Sequence, residues 1–82
     1  MPKKKGIRGL LSSNLLRIRE EKGYSLRELA ARCEKADNSD LSKYEHGDTN
    51  IGLEKLDEIA RALEVLAAEL ILPPEYEIRK KE

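Results

Sequence analysis

The chain has 82 residues, 16 basic and 16 acidic side chains, no formal net charge, one cysteine and one histidine. This length suits one domain around one core, and the lone Cys33 excludes an internal disulfide or a cysteine-based zinc finger. No stretch approaches the roughly 18 apolar residues of a membrane span, and no apolar block follows the basic start as in a secretory signal. Leu, Ala, Glu, Lys and Arg abound while Val is scarce, so we expect an all-α, cytoplasmic protein.

Two helices are predicted before residue 35. The first covers 11–22 and ends at Gly23. Its apolar residues fall at i, i+4 and i+7 and are Leu11, Leu15 and Ile18. The second covers about 26–34, because Ser25 and Glu28 have the spacing of a capping box. Its buried residues are expected to be Leu29, Ala30 and Cys33.

The third predicted helix is short and has few apolar residues. It covers 38–46, begins after Asp37 as its cap and ends at Gly47. Its only apolar residues are Leu41 and Tyr44, which are spaced i, i+3. Two anchors leave the other sides of this helix free, and we expect Tyr44 to lie in the core.

Two further helices complete the predicted domain. The fourth covers about 52–63 and is expected to be capped by Thr49 or Asn50. Its apolar stripe is Leu53, Leu56, Ile59, Ala60 and Leu63. The fifth covers about 67–72 and ends at Pro73. The apolar residues near it exceed what one short helix buries, and they are Leu66, Leu70, Ile71 and Leu72. They either pack the end of the core or form a dimer face, and we favour the dimer face.

Charge is distributed unevenly along the chain. Residues 1–32 carry nine basic and three acidic side chains, whereas residues 33–82 carry seven basic and thirteen acidic ones. Such asymmetry favours a polyanionic partner, although a solvated surface of mixed charge has the same composition. We divide the chain into a basic N-terminal arm (1–10), a folded domain (11–72) and a charged C-terminal tail (73–82). The arm, with Lys3, Lys4, Lys5 and Arg8, either follows DNA phosphates or is solvated.

Residues 25–47 have the plan of a helix-turn-helix, in which the second helix enters the major groove of DNA. Contact with bases requires an unburied helix face with side chains that donate and accept hydrogen bonds. The third helix offers Asn38, Ser39, Ser42 and Lys43. Asn suits adenine, Lys suits guanine, and Ser adapts to either.

Three blocks of the sequence carry a more specific pattern. They are Leu11-x-x-Asn14-Leu15-x-x-Ile18-Arg19-Glu20-Glu21-Lys22-Gly23-Tyr24-Ser25-x-x-Glu28-Leu29-Ala30, Leu41-Ser42-Lys43-Tyr44-Glu45-His46-Gly47 and Asn50-Ile51-x-Leu53-x-x-Leu56-x-x-Ile59-Ala60-x-Ala62-Leu63-x-Val65. In this order and spacing, they resemble the Cro/Xre-type, lambda-repressor-like regulators over about residues 11–72. The resemblance implies a compact five-helix DNA-binding domain.

The resemblance also implies roles for individual residues. Base contacts are implied for Asn38, Ser39 and Lys43, and backbone or phosphate contacts for Ser25, His46, Thr49 and Asn50. An ion pair between Arg19 and Glu45 is implied as well, joining the first helix to the end of the recognition helix. The chain departs from the family where Leu26 replaces a usual Gln, and where Glu64 and Leu66 replace a common Gly and a Ser or Thr cap.

Three residues allow more than one interpretation. Arg27 lies on the open side of the second helix and suits either a phosphate contact or a solvated charge. Cys33 is expected to be a small core residue rather than a reactive thiol. His46, the only histidine, is expected beside phosphate rather than on a metal, because no second ligand stands at helical spacing.

We therefore predict a sequence-specific DNA-binding transcriptional regulator, with its recognition helix at about 38–46 and a homodimer on double-stranded DNA. An alternative is an antitoxin-like interaction module on the same scaffold, whose tail 73–82 binds a small partner protein. No Gly-rich phosphate loop, HExxH motif or cysteine pair is present, so we predict no enzyme, cofactor, metal or membrane association.

Overall fold

A computed structural model of the chain describes residues 6–47 and 49–76. Its helices are α1 (Ile7–Glu21), α2 (Leu26–Arg32), α3 (Asn38–His46), α4 (Leu53–Leu63) and α5 (Ala67–Ile71). The described residues contain no strand, which confirms the all-α class and the five predicted helices.

The ends of α2 and α3 follow from local hydrogen bonds. The Ser25 hydroxyl accepts from the Glu28 N–H at 3.0 Å, and the Glu28 carboxylate accepts from the Ser25 N–H at 3.0 Å, which confirms the predicted capping box. Asp37 caps α3 as predicted and forms a second capping box with Asp40. Gly47 ends α3 at φ 74°, a left-handed conformation that costs glycine no steric strain.

One predicted helix start and one predicted helix cap were wrong. α1 begins at Ile7 after the extended Gly6, not at residue 11, so residues 7–10 of the predicted arm are helical, whereas 1–5 lie outside the described residues. α4 begins after the extended Gly52 without a side-chain cap, so neither Thr49 nor Asn50 caps it. Gly52 is extended in this position, and the helical turn starts only after it.

The predicted core was right for most positions and wrong at Leu53. Leu53 is 84% exposed because it is the first residue of α4 and lies beyond the end of the core. α2 ends at Arg32, since Cys33 turns to an extended conformation, and Ala30 and Cys33 are half-buried against the core. The innermost side chains come from every helix and are Leu15, Leu29, Leu41, Ile59, Leu63 and Leu70.

Packing of the helices places α3 against α1 and α2, while α5 packs on α1 and α4. Leu41 and Tyr44 hold α3 to this core from one side, as predicted. Among the described residues, no helix is long and apolar enough to cross a bilayer.

A buried polar side chain fixes the end of α5. Asn14 lies within the apolar stripe of α1, and its Nδ2 donates to the carbonyl of Leu70 at 3.0 Å and to that of Leu72 at 2.7 Å. The last carbonyls of a helix have no partner within it. Asn14 thus satisfies the end of α5 before Pro73 and ties α5 to α1.

Candidate nucleic-acid interface

The outer surface of α3 carries the predicted base-contacting residues together. At about 100° per residue, five polar side chains fall within an arc of about 140°, opposite Leu41 and Tyr44. They are Asn38, Ser39, Ser42, Lys43 and His46, which we call the outer face of α3. All are exposed except Ser42, which is half-buried. This arrangement leaves hydrogen-bonding groups free on a helix narrow enough for the major groove.

The two acidic residues of α3 do not lie on the outer face. Asp40 accepts from the Asp37 N–H at 3.1 Å, and its carboxylate lies 3.9 Å from Lys55 Nζ. Glu45 faces α1 and pairs with Arg19. Their negative charges are therefore engaged away from the side chains proposed to meet DNA.

The ion pair between Arg19 and Glu45 is confirmed. Arg19 donates from Nε to Glu45 Oε2 at 2.6 Å and from Nη2 to Oε1 at 3.1 Å, and from Nη1 to the Tyr24 carbonyl at 2.7 Å. The hydrogen bond with Glu45 raises the pKa of Arg19 above its usual range. Ser12 Oγ also donates to the Glu45 carbonyl. These bonds fix the C-terminal end of α3 to α1.

The N-terminal end of α3 is held from α4 by a residue that the sequence analysis missed. Glu58 Oε1 accepts from the N–H of Ala36 at 2.7 Å and from that of Lys35 at 3.0 Å, both in the turn between α2 and α3. The hydrogen bond from Ala36 is the main cause that lowers the pKa of Glu58. Nothing in the sequence distinguishes Glu58 from the other charged residues of an amphipathic helix.

His46 is oriented by its own helix. Its Nδ1 lies 2.7 Å from the Ser42 carbonyl, and because a carbonyl only accepts, Nδ1 carries the proton. The other ring nitrogen, Nε2, is left for a partner outside the helix. Within residues 6–47 and 49–76, no group of three or more His, Cys, Asp or Glu has an arrangement suited to a metal ion.

The remaining predicted DNA-contacting residues lie on the segments next to α3 in the chain. Ser25 and Arg27 are exposed at the start of α2, and Leu26 between them is half-buried against the core. Thr49 is half-buried and Asn50 exposed in the loop that follows α3. The structure thus gathers five of the nine predicted residues on one helix and places four on its flanking segments.

Two contacts correct or complete the sequence analysis near this surface. Arg8, assigned to the arm, lies in α1 and donates from Nη2 to Asn50 Oδ1, so it braces the loop after α3. Arg32 donates from Nε to the Ala62 carbonyl at 2.8 Å, which joins the ends of α2 and α4. Neither contact has a signal in the local sequence, since each joins residues at least 30 positions apart.

Cys33 has the properties of a core residue. It is half-buried beside the turn, and burial is the main cause that raises the pKa of its thiol. A raised pKa favours the uncharged thiol, which is the less reactive form.

Comparison with known proteins agrees with this arrangement. The sequence profile of the helix-turn-helix family matches residues 15–70. A hypothetical transcription factor of Neisseria meningitidis serogroup B is 34% identical over 79 residues, which cover 96% of this chain and 74% of that protein.

Two solved structures are similar over most of their length. The crystal structure of the hypothetical transcription factor NHTF from Neisseria superposes with a TM-score of 0.81 at 36% identity, over 92% of this chain and 85% of the other. The clp gene regulator ClgR from C. glutamicum gives 0.75 at 28% identity, over 87% and 90%. This chain belongs to the Cro/C1-type helix-turn-helix family of DNA-binding transcriptional regulators, which is a class without enzymatic activity.

Proposed function

We propose that the protein recognises a specific operator by inserting α3 into the major groove of double-stranded DNA, two copies binding a pseudo-palindromic site. The observation that carries this proposal is the outer face of α3, which is polar, free of carboxylates and fixed at both ends by Glu45 and Glu58. A helix held rigidly in this way presents its side chains in one register to the base edges. Since DNA lies in the cytoplasm of a bacterial cell, we place the protein there.

Base contacts are assigned to the side chains of the outer face. Lys43 suits the O6 and N7 acceptors of guanine, and Asn38 suits the N6 and N7 atoms of adenine. Ser39 and Ser42 each have a hydroxyl that donates or accepts. Asn38 and Ser39 stand in the first turn of α3, which is the part of a recognition helix that approaches the bases.

Phosphate contacts are assigned to the flanking residues, and their existing hydrogen bonds are compatible with this role. The Ser25 oxygen accepts within the capping box, so its hydroxyl hydrogen is available to donate. The Asn50 oxygen is engaged by Arg8, so its Nδ2 hydrogens are available. Arg27, His46 and Thr49 complete the set. Such contacts fix the register of the protein without selecting a sequence.

A homodimer is proposed because two recognition helices one helical turn of DNA apart read both half-sites. Of the apolar residues that we favoured as a dimer face, Leu70 is fully buried in its own protomer and is not available. Ile71 and Leu72 are half-buried, whereas Leu66 is 44% exposed. We therefore base the proposed dimer contact on Leu66, and sedimentation of wild type and Leu66→Ser tests it.

Selection of binding sites from a random DNA pool, followed by fluorescence anisotropy, tests the proposed function. We expect the selected duplex to bind far more tightly than random DNA and the affinity to fall steeply with salt. Lys43→Ala should lower affinity by about 1–3 kcal/mol and relax the preference at one base pair. Lys22→Ala, which removes an exposed charge after α1, is the matched control. Equal, weak affinity of the wild type for selected and random DNA would refute the proposal.

An antitoxin-like role is the second candidate. Two features of the sequence favour it. The second half of the chain is acidic, and Leu26 stands where the family usually has a Gln that can donate a hydrogen bond to DNA. A groove lies between the C-terminal half of α1 and the segment 72–76. The exposed Tyr76 lines it and is the last described residue of the chain. Residues 77–82 lie outside the described residues. Co-purification with a small partner protein that is lost on deletion of residues 73–82 would support this role.

A further inference from the structure

We propose that Glu58 is a positioning residue for DNA recognition, because it sets the direction in which α3 leaves the turn after α2. The proposal rests on the proposed function for its DNA-binding consequence. Glu58 lies on α4, outside the helix-turn-helix, and none of its atoms is assigned to DNA. It acts through two backbone N–H groups of the turn.

The geometry of the turn shows why it needs an outside acceptor. α2 ends at Arg32, and α3 begins after Asp37, so the N–H groups of Lys35 and Ala36 belong to neither helix. Ala36 is buried, and an unpaired buried N–H is costly. One carboxylate oxygen, Glu58 Oε1, accepts from both, at 3.0 and 2.7 Å.

α4 reaches the start of α3 through polar side chains. It packs on α2 and α5, and α3 packs on α1 and α2. The other ionic link is Lys55 Nζ with Asp40, at 3.9 Å, which is longer than a hydrogen bond. Glu58 therefore makes the shorter of these two polar contacts, to the turn that leads into α3.

Loss of this contact should lower specific binding more than nonspecific binding. Base contacts require the N-terminal turn of α3 in one orientation, whereas phosphate attraction tolerates several. If the turn samples other conformations, only a fraction of the molecules is competent to bind the specific site. The apparent affinity is then the intrinsic affinity multiplied by that fraction. We expect Glu58→Ala to weaken binding to the selected duplex about tenfold, with binding to random DNA nearly unchanged.

Matched variants separate positioning from charge. Glu54→Ala removes the same charge one turn earlier on α4, at an exposed side chain, and should leave the ratio of specific to nonspecific affinity as in wild type. Glu58→Gln removes the charge but keeps an accepting oxygen, and should restore most of the ratio. A Glu58→Ala protein that stays folded and keeps the wild-type ratio would overturn the proposal.

A measurement without DNA tests the positioning itself. Amide hydrogen exchange by NMR should accelerate more in Glu58→Ala at Lys35 and Ala36 than at Leu15 in the middle of α1, which exchanges through global unfolding. Unchanged exchange at the turn would overturn the proposal whatever the DNA result. If the wild type does not discriminate between selected and random DNA, the proposed function fails, whereas the exchange data still decide the role of Glu58.

Discussion

Replacing one partner of the Arg19–Glu45 pair should destabilise the protein far more than replacing both. We consider Arg19→Met, Glu45→Met and the double variant, because Met keeps the length of each side chain without its charge. The two side chains are 13% and 8% exposed and share two hydrogen bonds. Removal of one partner leaves the other charge poorly solvated and without its counterion.

The expected magnitudes follow from this burial. Breaking a buried pair on one side costs about 3 kcal/mol, whereas replacement of both partners by apolar side chains is nearly neutral. The double variant also loses the Arg19 bond to the Tyr24 carbonyl, worth about 1 kcal/mol. The total free energy of unfolding of a chain of this size is roughly 4–12 kcal/mol. Each single variant should therefore be clearly less stable than wild type, but its unfolding should still be measurable at low temperature.

Urea unfolding followed by circular dichroism measures these free energies. The exposed pair Arg61–Asp57, with side chains 81% and 61% accessible, is the control, and Arg61→Met should cost only about 0.5 kcal/mol. We expect the double variant to be at least about 2 kcal/mol more stable than the sum of the single losses predicts. Additivity of Arg19→Met and Glu45→Met within about 0.5 kcal/mol would refute this reasoning.

Three further variants test other contacts of the fold. Asn14→Ala should lower the free energy of unfolding by about 2 kcal/mol, because the carbonyls of Leu70 and Leu72 lose their donor, and urea midpoints check it. Glu64→Gly should raise the thermal midpoint by about 4 °C, since Glu64 has φ 59° and its exposed pair with Arg32 is worth little; a lower midpoint would contradict this. The pKa of Glu58 is lowered in the folded state, so the stability that its carboxylate contributes is fully present above pH 4.5, its ordinary pKa. That stability is lost as the pH falls through the pKa of the folded state. The stability difference between wild type and Glu58→Gln should therefore shrink from about pH 6 to about pH 3, and a constant difference would contradict the contact.

The sequence predicted the bounds of α3 correctly because the signals for both of its ends are local. Asp37 and Gly47 bracket α3, and two apolar residues fix which side is buried. The cap of α4 was mispredicted because Thr49 and Asn50 are good caps by type, whereas the residue before the helix is the extended Gly52. Leu53 was then counted with the core although it projects beyond it.

The contacts that orient α3 were only partly predictable. The Arg19–Glu45 pair was predicted from the family resemblance, which carries information on residues 26 positions apart. Glu58 and Arg8 depend on where α4 and the loop after α3 come to lie, and single residues contain no such information. Asn14 did carry a signal, since a polar residue within an apolar stripe requires a buried hydrogen-bond partner.

Chemical-shift mapping of the labelled protein with the selected duplex tests most directly whether α3 meets DNA with its outer face. We expect the largest changes at Asn38, Ser39 and Lys43, with smaller ones at Ser25 and Asn50. Changes concentrated on α5 and Tyr76, with the signals of α3 unmoved, would contradict the account.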